Sequence, residues 1–222
     1  MRTVTLTIDN LRVHAPEGSM LLWAALDKGI YIPNLCALRE CVVPFAGCRL
    51  CFVEIAGYPE PVTACTEPVR EGLVVSTHTE NVLTLQRTAA ELILSAHHVD
   101  CGHCGKNKTC ELQKIAVHLR MKLKPRRLRS LPRMVPLDTS HPLFTYDPSK
   151  CVVCGRCLWV CKEKGKGGVL NFAYRGFDMV VTTFGRAPDA DACCYECEQC
   201  VAACPVGAIR LNAHDRNGGE YA

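Results

Sequence analysis

Residues 151–161 read CVVCGRCLWVC and residues 194–205 read CYECEQCVAACP, and these two stretches decide how the C-terminal third folds. Each is a C-x2-C-x2-C-x3-C run: Cys151, Cys154, Cys157 and Cys161 in the first, Cys194, Cys197, Cys200 and Cys204 in the second. Three cysteines so closely spaced wrap three iron corners of one cubane, and the helix that follows carries the fourth thiolate across to a neighbour. A structural zinc site uses two C-x2-C knuckles instead, so this doubled run points away from zinc.

The doubled run resembles a two-cluster bacterial-type ferredoxin, in which the fourth cysteine of each run ligates the other cluster. That resemblance implies one 4Fe-4S cluster on Cys151, Cys154, Cys157 and Cys204, and a second on Cys194, Cys197, Cys200 and Cys161. The domain is expected over residues 140–211, with a polar, loosely ordered tail over 212–222. Working back from it, the chain holds 17 cysteines in 222 residues, in groups at 36–65, 101–110, 151–161 and 193–204. So many cysteines mean either a disulfide framework or a metal load. The start, MRTVTLTIDNLRV, alternates polar and apolar residues and lacks the continuous apolar core of a signal peptide. No stretch approaches the roughly 18 apolar residues of a membrane span. A cytoplasmic setting is expected, with the thiols as metal ligands and no direct membrane insertion.

The formal charge of +4 ignores ligated thiolates, which make a cluster-loaded chain more acidic. The basic balance is therefore poor support for nucleic-acid binding. Between Lys106 and Arg133 there are ten Lys and Arg against one acid, Glu111. With Pro125, Pro132 and Pro136 breaking it, residues 120–139 read as an extended basic linker, solvated or docked on an acidic partner.

Toward the front, Cys36, Cys48, Cys51 and Cys65 are spaced C-x11-C-x2-C-x13-C. Asp9-Asn10 suits a tight hairpin turn between two strands, and SMLLWAALDKG suits a helix capped by Ser19 and stopped by Gly29. CFVEIAG and GLVVSTH read as further strands. Thr77 to Glu80 fits a capping box, and the helix after it keeps Leu85, Ala89, Leu92, Ile93 and Ala96 on one side. That helix delivers HHVDCGHCGKNKTC, residues 97–110, which alone favours a zinc site of one His and three Cys.

The stretches YIPNLC, GCRLCFVEIAG and TACTEPVREGLVVST resemble the 2Fe-2S domain at the front of complex I's large peripheral subunit, of the diaphorase small subunit of NAD(P)-linked hydrogenases, and of iron-only hydrogenases. The resemblance implies an α+β protein in three domains. Residues 1–78 form a β-grasp 2Fe-2S domain on Cys36, Cys48, Cys51 and Cys65. Residues 79–119 form a small helical 4Fe-4S domain on His97, Cys101, Cys104 and Cys110, matching H-x3-C-x2-C-x5-C, and the linker and two-cluster domain follow. CELQ at 110–113 continues the likeness, while His98 and His103 depart from it and stay alternative imidazole ligands. One 2Fe-2S and three 4Fe-4S clusters need sixteen ligands, leaving Cys41 and Cys193 over as packing thiols. Trp23 and Trp159 read as core or cluster-shielding aromatics.

No dinucleotide-binding glycine fingerprint is present, since GKGG at 165–168 follows a cysteine run. No catalytic residue is expected, nor room for a molybdopterin or hydrogen-activating domain after residue 211. The resemblance implies an electron-transfer subunit in a hetero-oligomer, linking a flavoprotein that handles NAD(P)H to a hydrogenase-type catalytic subunit. A formate dehydrogenase, an electron-bifurcating complex or a complex I-like assembly could use the same wire. A zinc-binding nucleic-acid adaptor is the distant alternative.

Overall fold

The computed structural model describes residues 2–141, 143–165, 168–184, 194 and 197–212. These form two compact units that do not follow chain order. Met1–Ser95 joins Glu111–Ser130 in the first, and Ala96–Cys110 joins the described residues from Leu131 onward in the second. The cysteine loop of residues 97–110 is thus grouped with the C-terminal segment, and the helices flanking it are not.

In the first unit, β1 (Thr3–Ile8) and β2 (Leu11–Pro16) form the expected hairpin. Asp9 and Asn10 adopt φ of 48° and 67°, the left-handed pair that a two-residue type I′ turn requires. Alternation along the hairpin buries Val4, Leu6, Ile8, Val13 and Ala15. β3 (Phe52–Ile55), β4 (Val62–Thr63) and β5 (Val74–Ser76) complete a sheet ordered β2-β1-β5-β3-β4, in which only β1 and β5 run parallel. The Asp9 carboxylate accepts from the Thr77 N–H at 2.8 Å and the Thr77 hydroxyl at 2.5 Å, tying the hairpin turn to the exit of β5. Two-residue β4 carries too little sequence pattern to be read in advance.

Helix α1 (Leu21–Leu26) buries Leu21, Leu22 and Ala25 completely. Ser19 is not its cap: Met20 holds that position, and the Ser19 hydroxyl donates back to the Pro16 carbonyl at 2.7 Å. Gly29 does stop the helix, at φ +77°, with the Ile30 N–H returning to the Ala25 carbonyl. Helix α2 (Glu80–Ser95) is capped by Thr79, whose hydroxyl accepts from the Val82 N–H at 3.2 Å, because Thr77 is committed to Asp9. Its buried face is Val82, Gln86, Ala89, Ala90 and Leu94, whereas Leu92 is 53% exposed. The face is rotated from the expected one because Gln86 is taken inside, its Nε2 donating to the Phe52 carbonyl at 2.9 Å. Helix α3 (Glu111–His118) follows the cysteine loop and buries Leu112, Ile115 and Ala116.

In the second unit, β6 (Phe144–Tyr146) pairs antiparallel with β9 (Ile209–Leu211), and β7 (Asn171–Ala173) with β8 (Val180–Thr182). Helices α4 (Arg156–Glu163) and α5 (Gln199–Ala203) pack against each other. Pairing β6 with β9 brings together the chain entering the first cysteine run and the chain leaving the second. The basic connector has no helix or extended strand, yet Arg127 reaches Glu91 at 2.5 Å and Thr88 at 3.2 Å within the first unit. Among the described residues no helix is long and apolar enough to cross a membrane.

Candidate metal centres

The front cysteines sit on irregular chain that the sheet anchors at both ends. Cys51 lies at the start of β3 and Cys65 just past β4, and the Ala64 N–H donates to the Cys51 carbonyl at 2.8 Å. Between Tyr31 and Cys51 the chain forms no regular element, and Ala46 and Arg49 take positive φ to fold it back. The result is thiols in pairs. The Cys36 Sγ donates to the Cys48 Sγ at 3.3 Å, which lowers the Cys48 thiol to about 6 against its burial, while Cys36 is pushed far up. Cys51 and Cys65 repeat the arrangement: the hydrogen bond between them raises Cys51 and lowers Cys65. Cys41, buried nearby in sequence, donates to the Val43 carbonyl at 3.0 Å. Trp23 packs against the core with the Arg39 guanidinium 4.9 Å from its ring centroid.

The loop after α2 is pinned to the second unit by two adjacent hydrogen bonds. The His98 N–H donates to the Ser149 carbonyl at 2.8 Å, and His97 Nδ1 lies 3.0 Å from the Lys150 carbonyl. A carbonyl only accepts, so Nδ1 carries the proton and Nε2 presents a lone pair. Burial lowers His97 to about 4, so the ring is neutral near neutral pH. The other two imidazoles differ: His98 is exposed, and His103 is 87% exposed with Nδ1 2.9 Å from the Asp100 carboxylate. Cys101, Cys104 and Cys110 are half-buried along a tight turn in which the Cys104 N–H reaches the Cys101 carbonyl. Cys104 also explains Gly207, where any Cβ would fall 2.4 Å from the Cys104 Sγ.

The C-terminal cysteines line two cavities. One is lined by Cys151, Cys154, Cys157 and Cys204, together with Tyr146 and Val206. The other, of about 290 Å³, is lined by Cys161, Cys194, Cys197 and Cys200, together with Phe144 and Leu170. Cys157 and Cys161 stand four residues apart on α4 and yet line different cavities, because Cys204 follows α5 back toward the first run. Burial raises Cys151 and Cys157, and carries Cys154 and Cys200 up to about 12. Neighbouring thiols add to the rise: Cys151 and Cys204 act on Cys154, whereas Cys161 and Cys197 act on Cys200. Four thiols gathered around one cavity cannot all ionise unless a cation replaces their protons, the condition that metal coordination meets. Cys193 lies outside the described residues, as does the tail from residue 213. Among the described residues no three His, Cys, Asp or Glu side chains converge on a single-ion site.

Three contributors near these thiols carry no sequence motif. Tyr146 faces the first cavity, Gly207 gives Cys104 its space, and Arg133 donates from Nη1 to the Cys151 carbonyl at 2.9 Å. Gly207 and Arg133 come from segments distant in sequence from the cysteine they meet, whereas Tyr146 lies five residues before Cys151. The contacts also join the loop to the first cavity twice, through His97 and the Lys150 carbonyl beside Cys151, and through Cys104 and Gly207 three residues past Cys204.

Comparison with known proteins adds a framework to this geometry. Residues 1–80 match a 2Fe-2S iron-sulfur cluster binding domain, and residues 86–124 match the NADH-ubiquinone oxidoreductase-G iron-sulfur binding region. The chain is 37% identical over 213 residues to the NADP-reducing hydrogenase subunit HndD of Solidesulfovibrio fructosivorans, an alignment covering 94% of this chain and 36% of that one. It is 27% identical to the gamma subunit of the NAD-reducing hydrogenase HoxS of Cupriavidus necator, covering 93% of this chain and 86% of that one. A crystal structure of NAD+-reducing nickel-iron hydrogenase in the H2-reduced state contains a chain that superposes with a TM-score of 0.80 at 28% identity, covering 97% of this chain and 90% of that chain. The chain thus spans little more than a third of the Solidesulfovibrio subunit and most of the Cupriavidus one.

Proposed function

We infer, from the homology of this chain to iron-sulfur subunits of NAD(P)-linked hydrogenases and to the iron-sulfur region of NADH-ubiquinone oxidoreductase, that it is an electron-transfer subunit of such an assembly. It would link a flavoprotein that handles NAD(P)H to a hydrogenase-type catalytic subunit, in a cytoplasmic hetero-oligomer, with no catalytic residue of its own. Iron-sulfur clusters, when bound, accept and release single electrons, with potentials set by ligand type, charge, hydrogen bonds and exposure.

The chain's own residues fit that load. In a β-grasp front domain, the thiol pairs Cys36/Cys48 and Cys51/Cys65 supply the four thiolates of a 2Fe-2S cluster. His97 through Nε2, with Cys101, Cys104 and Cys110, holds a 4Fe-4S cluster; its Nδ1–H bond to the Lys150 carbonyl fixes the tautomer and aims the ring. His98 and His103 are exposed, and the Nδ1 of His103 lies against the Asp100 carboxylate instead. A ferredoxin-like C-terminal domain holds two more 4Fe-4S clusters, on Cys151, Cys154, Cys157 and Cys204 and on Cys161, Cys194, Cys197 and Cys200. The observation that carries this reading is the division of the eight C-terminal cysteines between two cavities in crossed sets, which two independent knuckles have no reason to adopt.

Anaerobic purification with native partners, followed by metal analysis, tests the proposal. Broad visible absorption, about 14 iron atoms per chain and a nickel-containing partner are expected. A colourless chain carrying zinc would overturn it. The match of residues 86–124 to the NADH-ubiquinone oxidoreductase-G region favours one second reading, the same wire in a complex I-like assembly, for which the co-purifying partner would carry no nickel.

A further inference from the structure

Tyr146 stands on β6, only 4% exposed, and its ring lines the cavity of Cys151, Cys154, Cys157 and Cys204. Its phenolic oxygen accepts the Val181 N–H from β8 at 3.1 Å. That contact uses an acceptor lone pair and leaves the phenolic proton to be donated elsewhere. The Cys151 thiol lines the same cavity: burial raises both groups, and the interaction between them offsets part of the rise on Cys151 while adding to that on Tyr146. The Val153 N–H approaches the same sulfur at 3.4 Å, and Arg133 holds its guanidinium on the Cys151 carbonyl. The second cavity differs, since none of its described lining residues carries a hydroxyl.

We propose that Tyr146 is a positioning residue that donates a hydrogen bond to the Cys151 thiolate and raises the reduction potential of the cluster on Cys151, Cys154, Cys157 and Cys204 above that of its neighbour. The proposal rests on the ligand sets inferred above. Reduction adds negative charge that the cluster's thiolates share, so a donor aimed at one of them stabilises the reduced form. Burial strengthens the bond, and the Val181 N–H polarises the phenol toward giving its proton. The β7–β8 hairpin thereby acquires a role: it supplies the N–H that orients the hydroxyl.

The test is a redox titration of the full chain followed by electron paramagnetic resonance, with iron content measured on every sample. Tyr146→Phe keeps the ring and removes the donor. The expected result is a full iron load with one 4Fe-4S midpoint moved negative by about tenfold in its equilibrium, ~59 mV for one electron, and the other centres unmoved. Site-specific 3,5-difluorotyrosine at position 146, a more acidic phenol and stronger donor, should move the same midpoint positive. A wild-type chain without cluster absorption overturns the ligand sets themselves. A fully loaded Tyr146→Phe chain with unchanged midpoints overturns only the role of Tyr146. If the Phe variant fails to hold its cluster, the fluorinated chain decides, and an unmoved midpoint there overturns the proposal.

Discussion

The front cysteines and the C-terminal cysteines solve one chemical problem in opposite ways. In the first unit, thiols interact in pairs, one of each pair raised and the other lowered, with Cys48 lowered to about 6 beside a raised Cys36. In the second unit, thiols stand around cavities, and burial drives Cys154 and Cys200 up to about 12. A pair contact can be made by a loop of any length, and the intervals of eleven and thirteen residues between Cys36, Cys48, Cys51 and Cys65 show that freedom. A ring around a cavity needs turns and helices of fixed pitch, and the repeated steps of three and four residues follow from it.

The largest expected effect tests the crossing directly. Cys157 and Cys161 occupy one face of α4 but line different cavities. Cys157→Ser and Cys161→Ser should each remove about four iron atoms and abolish different 4Fe-4S signals in electron paramagnetic resonance, whereas Cys65→Ser should remove about two. Loss of the same signal from both α4 variants would break the crossed assignment, and with it the contrast between the two units.

A smaller effect concerns how the loop reaches the C-terminal fold. A Cβ at Gly207 meets the Cys104 Sγ at 2.4 Å, while a Cβ at Gly102 meets nothing within 4 Å. Gly207→Ala should cost about 1–3 kcal/mol in denaturant unfolding and perturb the cluster signal that His97→Ala removes. Gly102→Ala should do neither, although it lies nearer in sequence to the loop cysteines. Equal effects from both would mean that the loop tolerates displacement and that Gly207 is not its stop.

Helix α2 offers a third measurement. Thr79→Ala removes the acceptor of the Val82 N–H and should cost ~1 kcal/mol of stability in urea titration. The sequence pattern places the cap two residues earlier, at Thr77, and the reason for the shift is physical. The side chain of Asp9, 68 residues away, competes for Thr77 and wins both its N–H and its hydroxyl. The same kind of override rotates the helix's buried face, since Gln86 is drawn in by the Phe52 carbonyl. Local signals succeeded where the chain satisfies itself: the Asp9-Asn10 turn and the Gly29 stop. They failed where a remote group took a side chain or its space, as for Thr77, Gln86, Tyr146 and Gly207. The grouping of residues 97–110 with the C-terminal unit belongs to the second kind, because the bonds to the Ser149 and Lys150 carbonyls cross some fifty positions.

The smallest expected effect asks whether α3 stays with the first unit although Cys110, immediately before it, groups with the second. Near the end of α3 the His118 ring packs edge-on against Tyr31, with centroids 4.8 Å apart, and burial against that ring lowers its pKa. A lowered imidazole is one that the folded chain keeps neutral while the unfolded chain still takes a proton near its ordinary value of about 6.5. Stability is therefore whole above that value and declines as pH falls through it toward the folded pKa, where the decline ends. Because the residue still meets solvent, the slope is shallow. Urea midpoints measured from pH 8 to pH 5 should fall slightly more steeply for the wild-type chain than for His118→Gln, the difference between the two curves isolating this one group. Parallel curves would mean that the ring does not rest on Tyr31 in solution, and that α3 follows the cysteine loop.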